Sequence, residues 1–174
     1  MTWCRAEDRS FSIVASGTML CTNAPALMAS GIIDEHNGNA APAEAAYEKI
    51  LAQYPDFSPA QRQLAILYSR DGDKLSRAYE LAVKARAIYP NDAALAKATG
   101  ILLCLQGDYA HAASLLKGTV AVLPADAEVY YYLGKAQLNL NQSHAAKSSL
   151  REALKLNLSG KLADSARQML GQLK

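Results

Sequence analysis

At 174 residues the chain has room for one domain or a short solenoid. Hydrophobic residues make up 51% of it, aromatic residues only 7%, and the formal charge is +2. So nearly neutral a balance gives no general attraction to nucleic acid or anionic lipid, and neither is expected as a partner.

Residues 1–23 stand apart from the rest of the chain. Residues 10–33 carry no formal charge, which raises the question of an address or anchor. A membrane-spanning helix needs about 20 predominantly apolar residues. Ser12, Ser16, Thr18, Thr22, Asn23 and Pro25 interrupt the run, so a span is not expected. Phe11 to Leu20 could form the core of an export signal, with Ala24-Pro25-Ala26 as a small-residue cleavage site. Met1 to Arg9 opposes this by mixing Arg5 and Arg9 with Glu7 and Asp8. The expectation is a leading helix with Phe11, Val14, Ala15 and Met19 on one face.

From Ala24 onward one pattern recurs about every 34 residues, the signature of stacked helical units. Leu27 and Gly31 begin a weak first helix, Gly38-Asn39 turn the chain, and Ala43 to Tyr54 form a second helix that stops at Pro55. Proline lacks the amide donor and its ring clashes with the preceding turn. Ser58-Pro59-Ala60-Gln61 reads as a helix start, with Ser58 as cap and Gln61 reaching back to it. Leu64, Ala65, Leu67 and Tyr68 come next, Asp71-Gly72-Asp73 break the helix, and Leu75 to Tyr89 form its partner. Pro55 and Pro90 lie 35 positions apart and Pro90 and Pro124 lie 34 apart, which places one extra residue in this turn.

Asn91-Asp92 can cap the next helix, and Gly107-Asp108 turn it into a partner closed by Pro124. Asp126 caps Ala127 to Leu140. There Asn141, which tolerates the left-handed conformation, replaces the turn glycine. Leu158 replaces the closing proline, and Ser159-Gly160 break the chain instead. Lys161 to Leu173 is one further helix, apolar on one face and polar on the other. That is what a terminal cap requires.

These residues resemble the tetratricopeptide repeat family. Gly100, Gly107, Asp108, Tyr109, Ala112, Leu116 and Pro124 match its motif best. Tyr130, Leu133, Gly134, Ala146, Leu150 and Ala153 match again, as do Leu64, Ala65, Tyr68, Gly72, Ala78, Ala82, Ala85 and Pro90. The resemblance implies an all-α, right-handed α-α superhelix. It divides into a degenerate unit at 24–57, units at 58–92, 93–126 and 127–160, and a capping helix at 161–174. It departs from the family at its weak first helix, its missing last proline, and the placing of Trp3 outside the units.

In such a fold the first helix of each unit lines the concave face. Helical spacing then points Arg62, Ile66 and Arg70, then Lys97, Ile101 and Cys104, then Tyr131, Lys135, Leu138 and Asn139 inward. The expected function is a protein-interaction scaffold with a groove for a peptide or protein segment of acidic character. Arg62, Lys97 and Lys135 would pair with carboxylates, while Ile66, Ile101 and Tyr131 give apolar contact. Arginine and lysine on a helix are more often solvated face, so each cation taken alone is weak evidence. Other settings are a portion of a larger enzyme, or an assembly or secretion factor that is exported or membrane-associated through residues 10–33.

A subset of the family holds chaperone C-terminal carboxylates with a clamp of two lysines, two asparagines and an arginine. Those positions here carry Met28, Ile32, Gln63, Ala94 and Ala98. One unit further on they carry Arg62, Ile66, Ala98, Glu128 and Tyr132. Neither register reproduces the clamp, so chaperone tails are not expected partners.

No catalytic or cofactor residues are expected. There is no Gly-rich phosphate loop and no zinc-type His-Glu-x-x-His. His36, His111 and His144 have no second ligand at metal spacing. Cys4, Cys21 and Cys104 are odd in number and unpaired in spacing, which fits a reducing, cytoplasmic setting.

Overall fold

The computed structural model of the protein describes residues 24–173. The leading helix expected at 11–20, with Trp3, Cys4 and Cys21, lies outside them. The described residues form helices and turns: α1 (Ala24–His36), α2 (Ala40–Gln53), α3 (Ser58–Tyr68), a 3-10 turn (Gly72–Lys74), α4 (Leu75–Ile88), α5 (Ala93–Gln106), α6 (Tyr109–Val122), α7 (Ala127–Asn139), α8 (Ser143–Lys155) and α9 (Gly160–Gln172). The result is the all-α helical-repeat solenoid that the periodicity predicts.

The helices pack in consecutive pairs, α1 with α2 through α7 with α8. Between pairs the contacts are asymmetric. The first helices touch one another, α3 on α5 and α5 on α7, while the second helices α4 and α6 barely meet. An array joined closely along one side and splayed along the other must curve. Its first helices therefore lie on the inner face.

Alanine makes the close pairing possible. Ala43, Ala78, Ala112 and Ala146 recur on successive second helices and are fully buried. Larger side chains, among them Tyr47, Leu64, Leu95, Leu102, Leu116 and Leu150, fill the space between. Three apolar clusters run along the chain, from α1 to α5, from α5 to α7, and from α7 to α9. On α9, Ala163 and Ala166 are buried, while Lys161, Asp164, Arg167 and Gln168 face solvent.

The punctuation mostly follows sequence chemistry. Asp92, Asp108 and Asp126 each accept amide hydrogens at the first turn of α5, α6 and α7. Gly107 and Asn141 take the left-handed conformation at φ +87° and +59°. The extra residue of the second unit falls in the 3-10 turn. The start of α3 is different. The Phe57 carbonyl accepts the amides of Ala60 and Gln61, so Phe57 and not Ser58 is the cap residue. Gln61 Nε2 donates to the Pro55 carbonyl at 2.6 Å instead of closing a capping box.

Candidate functional site

The inner face is built by α1, α3, α5 and α7. Ile66 on α3, Arg70 just beyond its end, and Lys97 and Ile101 on α5 line one cleft of about 180 Å³. Arg70 also borders a neighbouring cleft of about 610 Å³, against Ile32, Ile33, Glu35 and Gln63. Lys97 borders a third of about 650 Å³ with Leu123, Glu128, Leu158 and Leu162. The first two clefts share Arg70, the first and third share Lys97, Leu123, Asp126 and Glu128, and the third lies at the turns before α7 and α9.

The expected cations divide into two kinds. Arg62 Nε donates to Asp92 Oδ2 at 2.5 Å, and its Nη1 donates to Gln63 Oε1 at 2.6 Å. Lys97 Nζ lies 2.8 Å from Asp126 Oδ2 and 2.7 Å from Glu128 Oε2. Asp92 and Asp126 are the cap residues of the next first helices. Each cation therefore ties its unit to the following one, and neither stands open for a partner's carboxylate. Arg70 and Lys135 form no ion pair among the described residues; Arg70 is exposed and Lys135 half-buried.

Local electrostatics agree with this bracing. Desolvation works against the ionised form of Asp92, yet the Arg62 contact and the Leu95 amide hold its carboxyl below the usual range. Burial likewise opposes the charge on Lys97, but Asp126 and Glu128 raise its ammonium above the ordinary lysine value.

Two expected apolar contacts are corrected. Tyr131 is buried, with its hydroxyl donating to Ser165 Oγ on α9 at 3.0 Å and its ring edge-on to Tyr132 at 5.0 Å. It occupies in α7 the position of Arg62 in α3 and Lys97 in α5, and like them reaches the next first helix. Ile101 is buried and forms cleft floor, where little of it can touch a partner. Asn139 is exposed, and its amide donates to the Lys135 carbonyl at 2.9 Å near the end of α7.

Cys104 is buried beside the α7 backbone, its thiol donating to the Tyr132 carbonyl at 3.3 Å. Burial pushes that thiol up to about 11, with Lys135 acting in the opposite direction. Burial, with Glu128 nearby, pushes the Tyr132 phenol up to about 12.

A polar clasp joins α2, α3 and the 3-10 turn through Tyr68, a residue that the helical pattern alone assigns to packing. Its hydroxyl lies 3.0 Å from both Glu44 Oε1 and Glu48 Oε1. Lys74 sits 4.5 Å over the Tyr68 ring and pairs with Glu44. Burial, then the two carboxylates, raise the phenol well above its usual range. The available signal was Glu44 and Glu48 at a spacing of four, on one side of α2.

His36, His111 and His144 are exposed, and His111 Nδ1 lies 2.7 Å from Asp108 Oδ2 at its own helix start. Among the described residues no group of histidine, cysteine, aspartate and glutamate could hold a metal ion. No described helix is long and apolar enough to cross a membrane.

No family model matches the chain, and no curated protein matches it significantly. Solved structures do. MamA from Desulfovibrio magneticus RS-1, residues 41 to the end, superposes with a TM-score of 0.68 at 23% identity, covering 86% of this chain and 82% of that one. MamA from AMB-1 gives 0.70 at 23% identity over 86% and 88%. MamA from MSR-1 gives 0.69 at 23% identity over 86% and 86%. At this identity the likeness carries the fold alone.

Proposed function

We propose that the chain is a non-catalytic protein-interaction scaffold that holds a peptide segment along its inner face. The observation that carries this reading is a set of three adjoining clefts that share Arg70 and Lys97 and extend from the inner face to the turns before α7 and α9. A line of half-open clefts with apolar and charged walls suits an extended chain, which can place successive side chains in successive recesses. Acidic partner residues meet Arg70 in the clefts and Lys135 further along α7, outside them, in this reading. Arg62 and Lys97 hold the frame.

Affinity capture followed by mass spectrometry tests it, comparing the native chain with two charge reversals. Arg70→Glu with Lys135→Glu should lose the captured partners. Arg86→Glu on α4, outside the inner face, should keep them. Equal recovery with all three proteins would remove the two cations from the reading, and equal recovery with Ile66→Arg as well would remove the inner face as the binding surface.

A further inference from the structure

Resting on that reading, we infer that the inner face is electrically polarised and accepts a peptide in one direction, with an acidic residue at Arg70 and a basic residue at Asp126–Glu128. The charges follow from the ion pairs. Arg70 has no acidic partner among the described residues and borders the first two clefts; Glu35, in the second of them, accepts instead from the Tyr47 hydroxyl and the Gln63 amide. Lys97 is shared by two carboxylates, Asp126 and Glu128, so this trio carries one negative charge in excess. The amino terminus of α7 offsets at most about half of that charge.

The trio remains reachable. The side chains of Asp126 and Glu128 keep 25% and 35% of their exposure, and both border the first and third clefts. Half-buried Ile66 and Leu123 line the cleft that both poles border, and half-buried Leu158 and Leu162 line the third cleft beside the negative one. The matching occupant is a segment bearing a carboxylate, then apolar side chains, then a lysine or arginine. Reversed, it sets like charges against each other at both poles, and like-charge contacts suppress wrong orientations.

A random peptide library displayed on phage and selected on the full chain tests this. Ile66→Arg serves as the groove-blocked control, and circular dichroism checks every variant for folding. Selected peptides should carry an acidic residue toward one end and a basic one toward the other, with apolar residues between. Arg70→Glu should replace only the acidic preference, and Glu128→Lys only the basic one. Should Glu128→Lys fail to fold, Glu128→Gln serves, and it should weaken the basic preference. For one selected peptide, Arg70→Glu should weaken binding about tenfold, and exchanging the peptide's acidic residue for lysine should restore most of that loss.

Peptides that need Ile66 yet show no opposed charges, or do not respond to either reversal, would overturn the polarity and leave the groove standing. Selection that does not depend on Ile66, or no selection at all, would overturn the groove reading together with it.

Discussion

A Cβ added to Gly100 would stand 2.6 Å from both Cγ and Cδ2 of Leu116, far inside van der Waals contact. Gly134 and Leu150 repeat the relationship in the next pair at 2.7 Å, and Gly31 and Tyr47 in the first at 2.5 Å. The second pair carries Ala65 and Ala82 at the corresponding positions, both fully buried. Where the first helix gains a methyl group, the second helix has given up a large side chain. Gly100→Ala should therefore destabilise by about 1–3 kcal/mol through overpacking, despite a helix-propensity gain near 1 kcal/mol. Leu116→Ala alone should cost about 2–5 kcal/mol, and the double variant should lose less than the sum. Urea denaturation of the four proteins decides it. Strict additivity would mean that the two positions do not oppose each other.

Lys97 and Asp126 give a second prediction, because Asp126 does two jobs. Its Oδ1 accepts the amides of Glu128 and Val129, and its carboxylate pairs with Lys97. Asp126→Asn keeps the cap and loses the charge; Asp126→Ala loses both. The alanine variant should be the less stable by about 1 kcal/mol, the usual worth of a cap. Lys97→Met should cost about 1 kcal/mol or less, since the pair is partly solvated. Thermal denaturation of the three variants gives the order, and equal losses for the two Asp126 variants would show that the cap contributes nothing.

The pH dependence follows from the same braces. The Asp92 carboxyl is held below its unfolded value, so its contribution is present above about pH 4 and is lost as pH falls through the lower folded value. The Lys97 ammonium is raised, so its contribution is full below about pH 10 and is lost as pH rises through the higher folded value. Between these limits the braces should hold stability flat. A melting series across pH should therefore show an acid shoulder that Asp92→Asn removes and an alkaline shoulder that Lys97→Met removes. Shoulders unchanged in those variants would assign them to other groups.

The helices were readable because helix formation is local. Proline stops, aspartate caps and small residues at spacings of three and four need no knowledge of the distant chain. The inner face was harder because its chemistry is non-local. Arg62 looks like a groove cation in its own helix, and only its neighbour 30 positions on, Asp92, shows that the charge is engaged. Lys97 meets Asp126 29 positions on by the same rule. A cation at the fifth position of a first helix, with aspartate before the next first helix, is a pattern that could have been sought. Tyr131 could not be assigned that way, because its partner Ser165 carries no charge to mark the pairing.

Cys104 should resist modification. Its thiol is buried, bonded to the Tyr132 carbonyl, and pushed up to about 11, so little thiolate exists near neutrality. Alkylation at pH 8 followed by peptide mass spectrometry should leave Cys104 unmodified in the native chain and modify it fully in urea. Rapid native labelling at that position would place the thiol nearer solvent than its packing between α5 and α7 allows.

Tyr131 links the last helix pair to α9, and its hydroxyl can be removed without emptying the core. Tyr131→Phe keeps the buried ring and loses only the bond to Ser165, a net loss of about 1 kcal/mol. A solenoid distributes stability among nearest neighbours, so the effect should be local. Hydrogen exchange should quicken in Gly160–Gln172 and stay unchanged in Ala24–His36. Tyr131→Ala removes the ring as well and should cost several times more, with exchange rising in α7 and α8 as their shared cluster loosens. If Tyr131→Phe alters exchange across the whole chain, the array unfolds as one body. The hydroxyl's contribution would then have to be measured against global stability, not as the docking of a single helix.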